Sequence, residues 1–322
     1  MKKLWALALC AALLTGCAAR TDAPDSGRLQ IVTTLFPYYD FARAVAGDAA
    51  DVTLLLSPGR EAHSFEPTPL DAVTISRADV FVWNGGESEA WVGQMLDAAG
   101  ENVGTVVRMM DYVDAREEEF VEGMQGAEHD HDHEHDHDHE DEDSDEIEYD
   151  EHVWTSPRNA VILCEALCGA LCGADPSNAD AYRQNCAAYA AKLRGLDARF
   201  TALRERAARD LIVFADRMPL LYFCEAYDLR YRAAFHGCST DTEPSLATLK
   251  YLIDKVADEN VPVVYTVDLD SKKIADVVAE CTGAAIGTLY SLQTVSRADF
   301  DAGETYVTLM ERNLTALERG LT

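Results

Sequence analysis

The sequence predicts an α/β protein with two lobes, each built on a parallel sheet, joined by one long rigid helix. Short β-branched runs alternate with amphipathic segments of helix length on both sides of a proline-free, alanine-rich stretch. This strict alternation is typical of parallel sheets that helices cover on both faces. A chain of 322 residues is also long enough for two domains.

The N-terminus has the features of a targeting segment. Residues 1–16 carry two lysines and then an apolar run, which predicts a signal peptide. The small residue before Cys17 is typical of a bacterial lipoprotein processing site, so we expect lipidation of Cys17 and a flexible tether over residues 17–27. The prediction is an extracytoplasmic chain anchored to the cell membrane. The alternative is an ordinary signal peptide followed by a retained cysteine.

The first lobe is predicted to span residues 28–175. Its strands are read from the runs LQIVTTLF, DVTLLL, DVFVWNGG and TVVRMM, and helical patterns lie between them. Ligands of such sheets lie beyond the carboxyl ends of the strands. The loop SPGREAHSFEPTP, which holds His63, follows the second strand and is in that position.

An acidic loop over residues 128–148 has the most unusual composition in the chain. Six histidines alternate there with carboxylates, and no apolar residue interrupts them: His129, His131, His133, His135, His137 and His139. Such a segment cannot bury enough apolar surface to offset the entropy of ordering its backbone. Because imidazoles and carboxylates are good zinc ligands, we interpret the loop as an auxiliary metal-capture segment. A merely solvated acidic loop would explain the carboxylates but not the histidines.

His152 stands in a different context from the loop histidines. Apolar packing resumes at Val153 and Trp154, and Ser156 with Pro157 predicts the N-cap and first residue of a helix. A histidine fixed at the start of a folded element can be a permanent ligand, whereas a loop histidine can only be a transient one.

The linking helix is predicted over residues 176–209. A helix of about thirty residues extends roughly 45 Å, which suits a rigid strut between two lobes. The second lobe, residues 210–322, repeats the alternation, with strands LIVFAD, YRAAF, VPVVYTV and AAIGTLY and a single last helix FDAGETYVTLMERNLTALERGL. Asp216 ends the first of these strands, and Asp268 and Asp270 follow the third.

Charge and cysteine content exclude several function classes. A formal net charge of -30 disfavours nucleic acid and anionic lipid head groups and favours cations. The helical spacing of Cys164, Cys168 and Cys172 indicates small core-facing residues rather than a metal site, and the sequence assigns no disulfide. There is no nucleotide fingerprint, phosphate loop or Ser/His/Asp arrangement.

Several motifs together resemble the zinc-binding solute-receptor lipoproteins of bacterial ABC metal importers. They are GREAHSFEPTPLD, the His-rich insert, DEHVWTSPRNA, the long helix and CSTDTEPSLATLKYLIDKV. The resemblance implies zinc held between two lobes, with His63 and His152 as the first two ligands, and delivery to a membrane permease. We expect a monomer that is not an enzyme.

The remaining ligands depart from what the resemblance implies. Where a third histidine is common, this chain has FADRMPLLYF, so Asp216 is the nearest ligand-capable residue. Asp268 is the best match to the family's carboxylate, Asp270 is second, and His236 is an extra candidate that is more typical of a surface loop. Two aspartates make a hard ligand set that suits manganese, whereas the His-rich loop favours zinc.

Three further residues keep alternatives open. Arg217, beside Asp216, could form an ion pair that keeps that aspartate from a metal. Glu66 and Glu243 suit either a supporting role near the site or the start of a helix. Besides a zinc receptor, the sequence is compatible with a manganese receptor of the same fold, with a zinc buffer or adhesin, or with a zinc hydrolase, although it has no His-Glu-x-x-His helix.

Overall fold

The computed structural model describes residues 27–60, 62–124, 148–239 and 243–322. The predicted signal peptide, the lipidation of Cys17 and most of the acidic loop fall outside these ranges, together with its six histidines: His129, His131, His133, His135, His137 and His139. Within them, no helix has the length and apolarity needed to cross a membrane.

A four-stranded parallel sheet forms the first lobe. Its strands are β1 (Leu29–Thr33), β2 (Ala50–Leu54), β3 (Val80–Trp83) and β4 (Thr105–Arg108), and its helices are α1 (Phe36–Ala46), α2 (Pro69–Ile75) and α3 (Trp91–Ala99). The strand order is β2-β1-β3-β4. Val80, Phe81 and Val82 are fully buried, because helices cover both faces of a central parallel strand.

Two long helices follow, α4 (Pro157–Ala174) and α5 (Ala179–Arg206). Ser156 is the N-cap of α4 and Pro157 its first residue, as the sequence predicts. Cys164 and Cys168 are buried, and every cysteine in the described ranges is free. The 28 residues of α5 span roughly 42 Å. The helix ends at Arg206, three residues before the predicted end, and it packs against helices of both lobes.

The second lobe repeats the topology of the first. Its strands are β5 (Leu211–Met218), β6 (Arg230–His236), β7 (Val263–Val267) and β8 (Ala285–Leu289), in the order β6-β5-β7-β8. Its helices are α6 (Leu221–Ala226), α7 (Leu246–Asp258), α8 (Lys273–Thr282), α9 (Arg297–Asp301) and α10 (Tyr306–Leu321). The carboxyl ends of the strands therefore meet at one edge of each sheet, where side chains after β5, β7 and β8 can converge.

The last helix differs from the sequence prediction. A single helix was expected over FDAGETYVTLMERNLTALERGL, but α9 ends at Asp301 and α10 begins at Tyr306. Gly303 has a φ of 75°, a left-handed conformation that interrupts a right-handed helix. Thr305 then caps α10 in a capping box with Thr308. The prediction of one continuous helix was wrong because helical composition concealed this break.

Candidate metal site

His63 is positioned by the loop between β2 and α2. The loop turns at Gly59, where φ is 82°, and the Gly59 amide donates to the carbonyl of Val295 in the second lobe at 2.7 Å. Downstream, the Phe65 ring packs against Trp91 with 5.2 Å between ring centroids. His63 itself is half-buried. Contacts on both sides of the loop thus fix the segment that carries this imidazole.

His152 is almost fully buried, at 1% exposure, and it is held by Asp150. Its backbone amide donates to Asp150 Oδ1 at 2.7 Å, and its Nδ1 lies 3.2 Å from the same oxygen. The Tyr222 hydroxyl donates to the Asp150 carbonyl at 2.7 Å, which fixes the aspartate in turn. A carboxylate on Nδ1 sets the tautomer that leaves Nε2 with a lone pair, as in metal-binding histidines.

The electrostatic surroundings of His152 favour positive charge. Burial lowers the pKa of its imidazole, but the Asp150 carboxylate and, more weakly, Glu118 and Glu151 outweigh that effect, so the pKa is raised. A bound divalent cation would interact favourably with the same carboxylates.

His63 and His152 meet in one cleft between the lobes. Their ring centroids are 6.0 Å apart, with the ring planes inclined by 48°. The cleft has a volume of about 210 Å³, and the second lobe contributes Arg217, Asp268, Asp270 and Gln293 to its walls. The structure therefore brings together two histidines that are 89 positions apart in the sequence.

Asp268 and Asp270 both line this cleft, and both are already engaged. Asp268 Oδ1 accepts from the Ser291 amide at 2.8 Å, and burial raises the pKa of its carboxyl to about 7. Asp270 Oδ1 lies 3.1 Å from Nη2 of Arg217. To bind a metal, either carboxylate would have to give up this partner or bind the ion through its other oxygen.

Asp216 occupies a different cavity from the histidines. The register between β5 and β6 shifts between Phe214 and Arg217, which places Asp216 in an irregular part of the strand. Its Oδ1 accepts from the Arg217 amide at 2.8 Å, and its Oδ2 from the Val267 amide at 3.4 Å. Burial raises the pKa of its carboxyl to about 6. Asp216 lines a neighbouring cavity of about 310 Å³ rather than the histidine cleft.

His236 also lies away from the cleft walls. Its ring packs on Phe120 with 5.0 Å between centroids, and its Nδ1 is 3.7 Å from Glu118 Oε1. The Cys238 amide donates to the same glutamate oxygen at 3.1 Å. The residue is half-buried, so the expectation of a surface loop histidine was wrong. It sits at the end of β6, where packing against the 112–124 segment covers it.

Gln293 is a cleft residue that the sequence reasoning missed. It is 7% exposed, lines the cleft four residues after the end of β8, and its Nε2 lies 3.5 Å from His63 Nε2. Exchanging the amide nitrogen and oxygen by rotation would direct Oε1, a possible metal ligand, to the same place. Its position beyond the carboxyl end of a strand was a signal that could have identified it.

Among the described residues, His63 and His152 are the predicted ligands whose rings the structure brings together in one cleft. Across residues 27–60, 62–124, 148–239 and 243–322 there is no group of three His, Cys, Asp or Glu side chains close enough to hold a metal ion. The cleft therefore offers two imidazoles, a nearby amide and two engaged carboxylates. This arrangement can begin to bind a divalent ion, and the remaining ligands need a local rearrangement.

Comparison with known proteins gives the family. Residues 31–320 match the family model described as ZnuA, zinc-uptake complex component A periplasmic. The chain belongs to the ZnuA family. Membership confirms the resemblance seen in the sequence and the predicted class of two α/β lobes.

Individual ZnuA-family proteins are similar over nearly the whole chain. The high-affinity zinc uptake system protein ZnuA of Bacillus subtilis is 32% identical over 322 residues, covering 99% of this chain and 97% of that protein. The zinc-binding lipoprotein AdcA of Streptococcus pneumoniae is 33% identical over 327 residues, but this chain spans only 61% of its length. The crystal structure of the metal-dependent lipoprotein YcdH from Bacillus subtilis has 30% identity and a TM-score of 0.74, covering 92% of this chain and 100% of that one.

Proposed function

We propose that this chain is an extracytoplasmic receptor that binds zinc and delivers it to the membrane permease of an ABC importer. The observation that carries the proposal is the approach of His63 and His152 to 6.0 Å between centroids, in a cleft that both lobes line. The family description and the names of the relatives support zinc as the cargo. Nothing in the proposal requires an enzymatic activity.

His63 and His152 are the proposed fixed ligands, supplied by the first lobe. Gln293 and either Asp268 or Asp270 would complete the site from the second lobe, since zinc accepts mixed nitrogen and oxygen ligands. Because the two ligand sets lie on facing walls, a small rotation of the lobes would separate them and release the ion. Lipid on Cys17, a monomeric state and capture of zinc by the acidic loop belong to the same proposal.

Equilibrium dialysis against a weak chelator tests the receptor function. The mature chain and a variant lacking residues 128–146 should both retain one tightly held zinc ion, and only the full chain should hold additional weakly bound ions. Loss of all zinc on deletion would identify the protein as a buffer that functions through its loop. Preferential retention of manganese in a zinc and manganese mixture would identify the cargo as manganese, for which the two aspartates in the cleft would be the reason.

The substitution Asp150→Asn is expected to weaken zinc binding by about 10–100-fold, the range found when the partner of a metal-binding histidine is changed. The neutral asparagine amide lacks the negative charge with which the carboxylate stabilises the metal-bound imidazole. Chelator competition would measure the change. Asp111→Asn is the matched control, because that carboxyl is 60% exposed and pairs with Arg108 on the surface. Equal affinities of the Asp150→Asn and Asp111→Asn variants would contradict this role.

A further inference from the structure

An arginine lies in the wall of a cleft proposed to bind a cation. The side chain of Arg217 is 14% exposed, its Nη2 lies 3.1 Å from Asp270 Oδ1, and its Nη1 donates to the Ser239 carbonyl at 3.2 Å. Asp270 is 24% exposed. Both residues line the histidine cleft. The structure thus pairs the guanidinium of Arg217 with a carboxylate that could otherwise bind a metal.

A guanidinium and a divalent cation compete for such a carboxylate. Each is stabilised by the negative charge and by the same lone pairs, and a buried guanidinium close to the bound ion would also repel it. Loss of the Asp270 carboxylate would weaken the charge compensation of a guanidinium whose side chain is only 14% exposed, which is unfavourable. A further acceptor for the guanidinium therefore favours the transfer of Asp270 to a metal.

The structure provides that acceptor on the other side of the pair. Arg217 and Asp270 both also line the neighbouring cavity of about 310 Å³, and Asp216 and Glu243 line it with them. Asp216 is buried and interacts electrostatically with both Arg217 and Asp270. The Arg217 side chain is thus placed between two cavities, and Asp270 is accessible from both. Further carboxylates line the neighbouring cavity, called the rear cavity below.

We propose that Arg217 is an internal competitor of the metal. It pairs with Asp270 in the metal-free protein, and on metal binding Asp270 passes to the ion while the guanidinium moves towards Asp216 and Glu243 in the rear cavity. Arg217 thereby lowers the affinity of the site and assists release, because it recaptures Asp270 as the ion leaves. This inference rests on the proposed function and deepens it by naming a residue that sets the affinity.

The test compares Arg217→Gln with the unchanged mature chain, using zinc alone in a chelator competition. Removal of the competitor should tighten zinc binding by at least about tenfold, whereas a merely structural arginine would weaken binding when replaced. Asp270→Asn should weaken binding, and the gain from Arg217→Gln should vanish in the Arg217→Gln/Asp270→Asn double variant. Arg230→Gln, which removes a surface ion pair with Asp210, is the matched control and should leave the affinity unchanged.

The possible outcomes separate the competitor role of Arg217 from the receptor function. Zinc binding by the unchanged chain with equal or weaker binding by Arg217→Gln overturns the competitor role and leaves the receptor function intact. Absence of zinc binding in the unchanged chain overturns both. Arg217→Lys, which keeps the charge but not the forked geometry, serves if Arg217→Gln does not fold, and its affinity should rise by a smaller factor. If zinc binds tightly only with added acetate and Arg217→Gln abolishes that dependence, Arg217 binds an anion and the proposal is wrong.

Discussion

His152→Ala should weaken zinc binding by more than about 100-fold, since removing a direct ligand exceeds the 10–100-fold effect of changing its hydrogen-bonding partner. The imidazole is buried, oriented by Asp150, and lies 6.0 Å from the His63 ring, so its removal takes away one of the two proposed fixed nitrogen ligands. His63→Ala should have a comparable but smaller effect, because its half-buried position leaves room for a water ligand. Competition with a chromogenic chelator would measure both affinities.

His236→Ala is the matched control for these variants. Like His63→Ala and His152→Ala, it removes an imidazole, but His236 packs on Phe120 and does not line the cleft. Its zinc affinity should stay within about threefold of the unchanged chain, because His236 reaches the ligand only through Glu118, which acts on His152 more weakly than Asp150 does. If His63→Ala and His152→Ala retained full affinity, the acidic loop would be the zinc-binding element and the buffer interpretation would replace the receptor.

The architecture could be predicted from the sequence because it depends on local patterns. Largely buried strands such as Val80–Trp83 read as short apolar runs, and Pro157 after Ser156 marks a helix start without knowledge of the fold. The repeated alternation of strands and helices predicted two lobes of the same architecture. The break before α10 was missed although Gly303 and Thr305 are residue types that end and begin helices, because the residues around them have a helical composition.

The site was only partly predictable. His63 and His152 each stand in a distinctive local sequence, so they could be identified separately. The rule that ligands lie beyond strand ends pointed to His63 alone, and the family resemblance implied that both histidines bind in one cleft. The ion pair between Arg217 and Asp270 joins residues 53 positions apart, and the contact of Gln293 with His63 joins residues 230 apart. The first pair depends on how β5 and β7 align within the second lobe, and the second depends on how the two lobes pack. No local pattern specifies either.

Trp154→Ala should lower the free energy of unfolding by about 3–5 kcal/mol, the range for truncating a large buried aromatic side chain. The residue is fully buried, and its ring packs against Tyr38 and His152 with centroid distances of 6.1 and 5.5 Å. Its indole Nε1 donates to the Ser291 carbonyl of the second lobe at 2.8 Å. Since Ser291 also donates its amide to Asp268, this bond connects the support of His152 with the opposite wall of the cleft.

Trp154→Phe separates the hydrogen bond from the packing. It should cost about 1–3 kcal/mol, since it leaves the Ser291 carbonyl without this donor, and should weaken zinc binding as His152 loses a fixed neighbour. Trp83→Phe is the matched control, because the buried Trp83 Nε1 has no hydrogen-bond partner within the described ranges. Urea unfolding of the metal-free proteins and chelator competition would measure the two effects. Equal losses for Trp154→Phe and Trp83→Phe would mean that the hydrogen bond between the lobes contributes nothing to stability.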